Sequence, residues 1–421
     1  MKVSYVIKGF LSGAGKLRIG VDLAPLRPPL TGVGNYELHL LSAILNEPDA
    51  PQIIGFNKHT WVNVNRSYID GFSAMSGRDS TEHVRSWTAK AVHVLRRSKS
   101  ARRLYLWIRR RIFERSCNHK ELSLFHAFSY VAPGKTSTMV IPVVYDLSFV
   151  RFPESHPPAR LESLRYFQAQ LTAAPLVHTI SQFSAREIAD VFGIPSSRIA
   201  VIYPGVSAEF IDTVSQNTEA VLAHYKLERM GFFLVVSTLE PRKNLRSLIA
   251  AYSRLSSTER GRLPLCIVGA TGWGSLDLPA STHALEREGC LRFLGFIPNL
   301  HLRALYENTK AMFYPSSYEG FGMPIIEALA CGARVISSDA ASMPEAGGPV
   351  TRRVSPYDVD AWLEEMRFAA AVSDSGSEER IARQSHALQF TWSRAAVQTL
   401  DLYRRAMFYN CLLYTSDAAD E

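Results

Sequence analysis

The 421-residue chain lacks any apolar run near the ~20 residues needed to cross a bilayer, so no spanning helix is expected. The opening stretch, residues 1–10, is short and broken by Lys8, which makes it a poor secretory leader. Cysteine is sparse and unpatterned: Cys117, Cys266, Cys290, Cys331 and Cys411 show no CxxC spacing. That excludes a disulfide framework and a zinc site, and leaves the thiols as core filling in a reducing compartment. No Asp-x-Asp pair sits at a strand end to hold a divalent cation, and no side chain stands out as a covalent nucleophile. GATGWG, Gly269 to Gly274, misses the GxGxxG spacing of a dinucleotide fingerprint and reads as a plain loop. With 47% apolar and 20% charged residues, wholesale disorder is excluded as well.

What remains is a cytoplasmic α/β protein long enough for two cores. Leu17 to Asp22 is a strand, and irregular structure is expected from there until Asn35, where Leu38, Leu41, Ile44 and Leu45 take up helical spacing. Gly32 and Gly34 lie in this Gly-rich turn, where the backbone could approach an anion; a turn that binds nothing has the same sequence. Further strands are read at Leu124 to Phe128, Met139 to Tyr145 and Leu176 to Ile180. After the last of these, Ser181 or Ser184 caps a helix that Gly193 stops, and a strand follows. Five short apolar strands fall at Phe232 to Ser237, Leu265 to Val268, Leu291 to Leu294, Ala311 to Tyr314 and Arg334 to Ser337. Helices between them spell a second doubly wound parallel sheet. The expected division is a first domain over 17–206, a linker over 207–230, a second domain over 231–391, and a helix over 392–408 returning to the first domain. Residues 1–16 and 409–421 read as extensions outside the fold.

The densest chemistry lies in YPSSYEGFGMPIIEALACG, Tyr314 to Gly332. Pro324 suits a first helical turn because its missing N–H would be unpaired there, so a helix is expected to start near Met323. Glu319 then lies on the loop entering that helix and Glu327 about one turn inside it. Both can face a ligand whose phosphates sit over the free N–H groups of the first turn. A glutamate near a helix start is also ordinary dipole chemistry, and Gly-Phe-Gly an ordinary turn. The order strand, acidic loop, glycines, proline, acidic helix is what gives a nucleotide crevice.

EGFGMPIIE resembles the Glu-x7-Glu motif of retaining glycosyltransferases of the GT-B fold, a group that includes bacterial mannosyltransferases and sucrose-phosphate synthases. The resemblance covers most of Leu17 to Met407 and implies two Rossmann-like domains facing across a cleft. It implies that Glu319 lies beside the donor sugar in a catalytic role, that Glu327 holds the nucleotide ribose, and that Gly320, Phe321 and Gly322 line the donor turn. It also turns the Gly32–Gly34 loop toward the donor phosphates and the acceptor. Arg242 and Lys243, in LEPRKN after the second domain's first strand, align with the family's basic pair for the diphosphate; Pro-Arg-Lys-Asn is equally good surface chemistry.

Two departures stand out. Many relatives carry a further Arg where this chain has Thr238 at the donor site, and relatives usually place a His where Tyr145 precedes the catalytic candidate Asp146. Tyrosine can hydrogen-bond there but cannot take a charge near neutral pH, and Asp146 could also be no more than a turn cap. Retaining transfer can run through a covalent carboxylate intermediate or by front-face attack; with no nucleophile and no Asp-x-Asp site standing out, front-face transfer without a metal is expected. The resemblance implies a nucleotide-sugar donor such as GDP-mannose and a glycan or lipid-linked acceptor. A nucleotide-sugar epimerase or hydrolase on this fold should show first-domain acids and histidines that do not stand out. A catalytically impaired nucleotide- or glycan-binding partner fits Tyr145 and Thr238.

Between Arg85 and Arg115 the chain holds eleven Lys or Arg against one acid, Glu114, interleaved with Trp87, Leu104, Trp107, Ile108 and Phe113. Such a cationic amphipathic stretch suits an anionic membrane surface, here the inner face of the membrane, although a solvated basic helix has the same composition. Nucleic acid is not the expected partner of the overall +8 charge.

Overall fold

The computed structural model describes residues 16–27, 30–76, 99–211, 218–270, 272, 276–372 and 376–417. Strands β1 (Arg18–Asp22), β2 (Gln52–Asn57), β3 (Thr60–Val64), β4 (Leu124–Ala127), β5 (Val140–Val144), β6 (Val177–Thr179) and β7 (Ile199–Val201) form one sheet, ordered β3-β2-β1-β4-β5-β6-β7. Strands β8 (Phe233–Val236), β9 (Leu265–Val268), β10 (Leu291–Gly295), β11 (Ala311–Tyr314), β12 (Val335–Ser338) and β13 (Arg352–Val354) form the other, ordered β10-β9-β8-β11-β12-β13. All neighbours are parallel except β2 and β3. Each sheet reverses strand order once, between β1 and β4 and between β8 and β11, and a doubly wound sheet opens its ligand crevice there. The helices include α1 (Gly32–Asn46), α2 (Lys99–Cys117), α3 (Gln182–Phe192), α4 (Met323–Ala330), α5 (Met343–Gly347) and α6 (Trp392–Asp417).

Fully buried β8, β9, β11 and β12 explain why their apolar runs were legible. The β2–β3 hairpin escaped because its two-residue turn places Lys58, not glycine, at φ 56°. Strand β13 escaped because Arg352 and Arg353 are exposed, an edge blunted by charge. Helix α1 corrects the expectation of irregular chain up to Asn35: it starts at Gly32, capped by Thr31, whose hydroxyl accepts from the Gly34 N–H at 3.5 Å. Helix α3 starts after its cap Ser181 and stops at Gly193 in the left-handed region (φ 66°), as its sequence requires.

The segment expected as a linker carries helices Ala208–Ile211 and Thr218–His224, both packed on Asn299–Asn308 of the second domain. Helix α6 returns to pack along α1 and pairs Arg404 with Asp49. It runs on to Asp417, so residues 409–417, expected outside the fold, continue a helix.

A buried hydrogen-bond chain fastens α6 to the first sheet. Tyr403 Oη lies 2.8 Å from His126 Nδ1, His126 Nε2 lies 3.0 Å from His178 Nδ1, and His178 Nε2 lies 2.8 Å from Tyr36 Oη. Tyr36 donates onward to the Ile202 carbonyl at 3.1 Å. Running every proton from Tyr403 toward Ile202 satisfies each member with both imidazoles neutral. Burial lowers His126 well below the ordinary histidine range and His178 to about 3, in keeping with that arrangement. Tyr403→Phe leaves the His126 acceptor buried without a donor. We expect it to cost about 1–3 kcal/mol in urea unfolding at pH 7.5; an unchanged midpoint would mean that the chain of bonds does not form.

Candidate active site

Strands β8 and β11 lie side by side at the reversal of the second sheet, and the loops leaving their carboxyl ends build the site. After β8, Pro241 opens a single 3-10 turn over Pro241–Lys243. Asn244 then turns left-handed (φ 51°), its side-chain amide donating to the carbonyls of Pro315 at 3.2 Å and Pro356 at 2.5 Å. That anchor aims Lys243 inward, where it is 7% exposed. After β11 the chain runs through Glu319, also 7% exposed, to Gly322, whose φ of 101° only glycine adopts readily and which opens α4 with no side-chain cap. The start of α4 at Met323, with proline in its first turn, is the expected one.

Glu319 and the basic pair meet directly. Its Oε1 receives Lys243 Nζ in a short contact and the Tyr314 hydroxyl at 3.1 Å, and its Oε2 receives Arg242 Nη1 at 2.7 Å. Arg242 also donates to the Tyr318 carbonyl at 3.1 Å and to Glu240 Oε2 at 3.0 Å, while Thr238 donates to Glu240 Oε1 at 3.0 Å. Burial alone would raise the Glu319 carboxyl, but Arg242 and Lys243 outweigh it and hold the group at about 2. Burial pulls Lys243 down, opposed by Glu319. Arg242 is raised: its burial is outweighed by Glu319, by Asp146 and by Glu240. Two cations and two carboxylates therefore stand nearly balanced at the crevice floor, beside a helix start whose N-cap residue, Gly322, supplies no side-chain cap.

Asp146 enters from the first domain. A β-carbon on Gly320 would stand 3.3 Å from Asp146 Cβ and 2.1 Å from the Tyr145 carbonyl oxygen, so the domains approach closely at Gly320. Asp146 Oδ1 accepts from Ser148 N at 3.0 Å and Ser148 Oγ at 2.8 Å, which is the turn-cap role. It also acts on Arg242 across the domain boundary. Glu319, Arg242, Lys243, Thr238, Gly320 and Asp146 are thus gathered in one place.

The other expected residues stand apart from that network. Glu327 lies along α4 and accepts from the Tyr306 hydroxyl at 3.3 Å. Phe321 is 2% exposed against Tyr203 and Phe390, so its side chain packs and only its main chain can face a donor. Gly34 lies inside the first turn of α1 and not in a loop, and a β-carbon there would meet the Pro25 carbonyl oxygen at 2.6 Å. Gly32 is exposed in the first turn of α1 with open space beside it. Tyr145 makes no hydrogen bond through its hydroxyl; its buried ring meets Tyr36 and Tyr130 edge-on at 5.6 and 5.3 Å. Tyr314, Tyr318 and Glu240 were not singled out from sequence, because a tyrosine in or after a buried strand reads as core until its hydroxyl is placed.

Burial raises the Glu327 carboxyl to about 7, with the Tyr306 bond pulling down and Glu209 adding to the rise. Ionising it costs stability increasingly from the unfolded value near ~4.3 up to that pH, and fully above it. We expect Glu327→Gln to be neutral near pH 4 and stabilising by about 1–3 kcal/mol above pH 7 in urea unfolding. The same difference at both pH values would rule out the buried charge.

Residues 222–385 match the family described as Glycosyl transferases group 1, and residues 71–210 match Glycosyltransferase Family 4. The chain is 30% identical over 382 residues to the O-antigen chain mannosyltransferase B of Escherichia coli, covering 90% of this chain and 97% of that protein. It is 24% identical over 363 residues to the O-antigen chain mannosyltransferase RfbU of Salmonella typhimurium, covering 84% and 92%. Among solved structures, HepE of Anabaena in complex with UDP and glucose superimposes with a TM-score of 0.60 at 16% identity over 92% of this chain and 99% of that one. WaaG, a glycosyltransferase involved in lipopolysaccharide biosynthesis, gives 0.57 at 14% identity over 91% and 99%. Sequence match, paired parallel sheets and a crevice built from their loops agree: the chain belongs to the group 1 and family 4 glycosyltransferases, with the GT-B fold.

Proposed function

We propose that this glycosyltransferase moves mannose from GDP-mannose to a growing polysaccharide or lipid-linked glycan with retention of anomeric configuration. The observation that carries the reading is Glu319 held between Arg242 and Lys243 at the reversal of the second sheet. In this mechanism the bond from the anomeric carbon to the diphosphate oxygen breaks while the acceptor oxygen bonds to the same face. The acceptor hydroxyl proton passes to the departing diphosphate. Glu319 orients sugar hydroxyls, Glu327 accepts from the ribose, and Asp146 faces the sugar from the first domain. The basic pair and the start of α4 stabilise the charge that develops on the leaving group, with no resident metal required. An arriving diphosphate competes with Glu319 for Arg242 and Lys243, so donor binding exchanges one anion for another instead of desolvating bare cations. The mannose assignment draws support from the O-antigen mannosyltransferases that the chain resembles.

We also place the protein on the inner membrane face through α2. Residues 85–98 of the basic stretch lie outside the described residues; the remainder forms α2. There Leu104, Trp107 and Ile108 are 56%, 54% and 38% exposed among basic side chains, an apolar and cationic mixture suited to anionic lipid. No helix among the described residues is long and apolar enough to cross a membrane.

Offered a panel of nucleotide sugars, the protein is expected to gain most thermal stability from GDP-mannose, with the gain unaffected by EDTA and reduced at least tenfold in apparent affinity by Glu327→Ala. No stabilisation by any donor would favour a catalytically impaired partner that binds glycan. In sedimentation with vesicles, binding to anionic lipid should fall as salt rises through the range where the screening length drops below ~10 Å. Equal binding to neutral vesicles would remove the electrostatic basis.

A further inference from the structure

The Glu319 loop is fastened to the opposite domain at two points that glycosyl transfer as described leaves unused. Tyr318, the residue before Glu319, points its side chain the other way. Its hydroxyl accepts from the Leu147 N–H at 3.1 Å and donates to the Glu187 carboxylate in a short contact. Glu187, on α3 and 8% exposed, is held in turn by Arg151, whose Nε and Nη2 each lie 2.7 Å from Oε1. The Tyr318 ring is gripped edge-on by Phe152 at 5.4 Å and Phe183 at 5.6 Å, both of the first domain.

The second point is Glu345 on α5. Its carboxylate accepts the N–H groups of Gln182 at 2.7 Å and Phe183 at 3.2 Å, and the Tyr203 hydroxyl at 2.5 Å. Those amides open α3, whose next N–H, of Ser184, is taken by Ser181 at 3.0 Å. Helix α3 thus has its first-turn donors capped partly by its own Ser181 and partly by an anion from the other domain, where the helix dipole favours negative charge. Ser342, just before α5, donates to the Glu319 carbonyl at 2.9 Å, so this second tie also reaches the loop.

We propose that Tyr318, Glu187 and Glu345 are positioning residues that latch the two domains and, through the main chain on either side of Glu319, set that carboxylate in its working register only when the domains are closed. The inference rests on the catalytic reading of Glu319 given above. The physical reason is adjacency: Tyr318 and Glu319 share a peptide unit and the Tyr318 carbonyl also takes Arg242, so a shift of the Tyr318 anchor is passed to the Glu319 main chain and to its basic partner, where small displacements matter for reacting atoms. Carboxylate–phenol and carboxylate–amide bonds of this kind break as a unit when the domains part, and re-form only in one register.

The tests use the full chain and three variants, Tyr318→Phe, Glu187→Ala and Glu345→Gln, with Glu187→Gln as the conservative rescue. With GDP-mannose as the probe, kcat is expected to fall about 10- to 100-fold with donor KM within about threefold, because binding to the second domain persists while the assembled state is lost. Glu187→Gln keeps an acceptor for Tyr318 and should recover at least tenfold of the loss in Glu187→Ala. Without any ligand, small-angle scattering of the Tyr318→Phe, Glu345→Gln double variant should give a larger radius of gyration than the parent protein. A kcat within twofold of the parent in Tyr318→Phe and Glu187→Ala, a loss confined to KM, or an unchanged radius of gyration would each overturn the latch. Glu319→Gln is measured alongside: if it retains kcat, the catalytic reading of Glu319 fails and the latch with it. If Glu319→Gln is inactive while Tyr318→Phe is not, the latch alone fails.

Discussion

Everything at the crevice depends on one buried carboxylate shared by two cations. An ion pair taken out of water gains little unless each remaining lone pair and proton finds a partner, because desolvation consumes most of the attraction. Glu319 meets that condition through Arg242, Lys243 and the Tyr314 hydroxyl. Arg242 meets it through Glu240 and the Tyr318 carbonyl, and Lys243 through the Tyr314 hydroxyl at 3.5 Å. The result is a nearly neutral floor at a sheet reversal, with its basic groups already buried and paired. Such a floor suits an anionic leaving group, since the cost of burying positive charge has been met in folding and is not charged again when substrate arrives.

The same loop is where the two domains recognise each other. Gly320 admits the Tyr145 carbonyl so closely that any side chain would collide with it, and Asp146 follows immediately. The Ser184 hydroxyl bridges the seam, reaching the Tyr145 carbonyl at 3.1 Å and that of Gly320 at 3.5 Å. A glycine that looks in sequence like part of a phosphate-binding turn is therefore spent, on its Cα side, on interdomain packing. Helix α6 completes the assembly from behind, joined to the first sheet by the proton-ordered run from Tyr403 to Ile202.

Local rules carried the fold a long way. Pro324, Gly193 and Ser181 each marked a helix boundary because the constraint they impose is confined to one turn. Buried parallel strands such as β9 and β11 were legible because burial on both faces demands an unbroken apolar run. The hairpin at Lys58 and the edge strand β13 were not, since one uses a strained non-glycine turn and the other an exposed arginine pair. The Phe321 side chain and the Cα side of Gly34 are packed, which a Gly-rich turn in sequence does not show.

By itself the sequence determined two doubly wound domains and the helix opening at Met323, and it singled out Glu319, Arg242 and Lys243, because propensity, periodicity and turn chemistry act between near neighbours. Only the tertiary structure decided that Glu319 closes on Arg242 and Lys243, that the Tyr145 hydroxyl makes no hydrogen bond, and that Tyr318 and Glu345 reach across to the first domain. Those contacts join residues far apart in the chain. Their energies depend on distance, direction and exclusion of water, quantities that exist only once both sheets have folded and met.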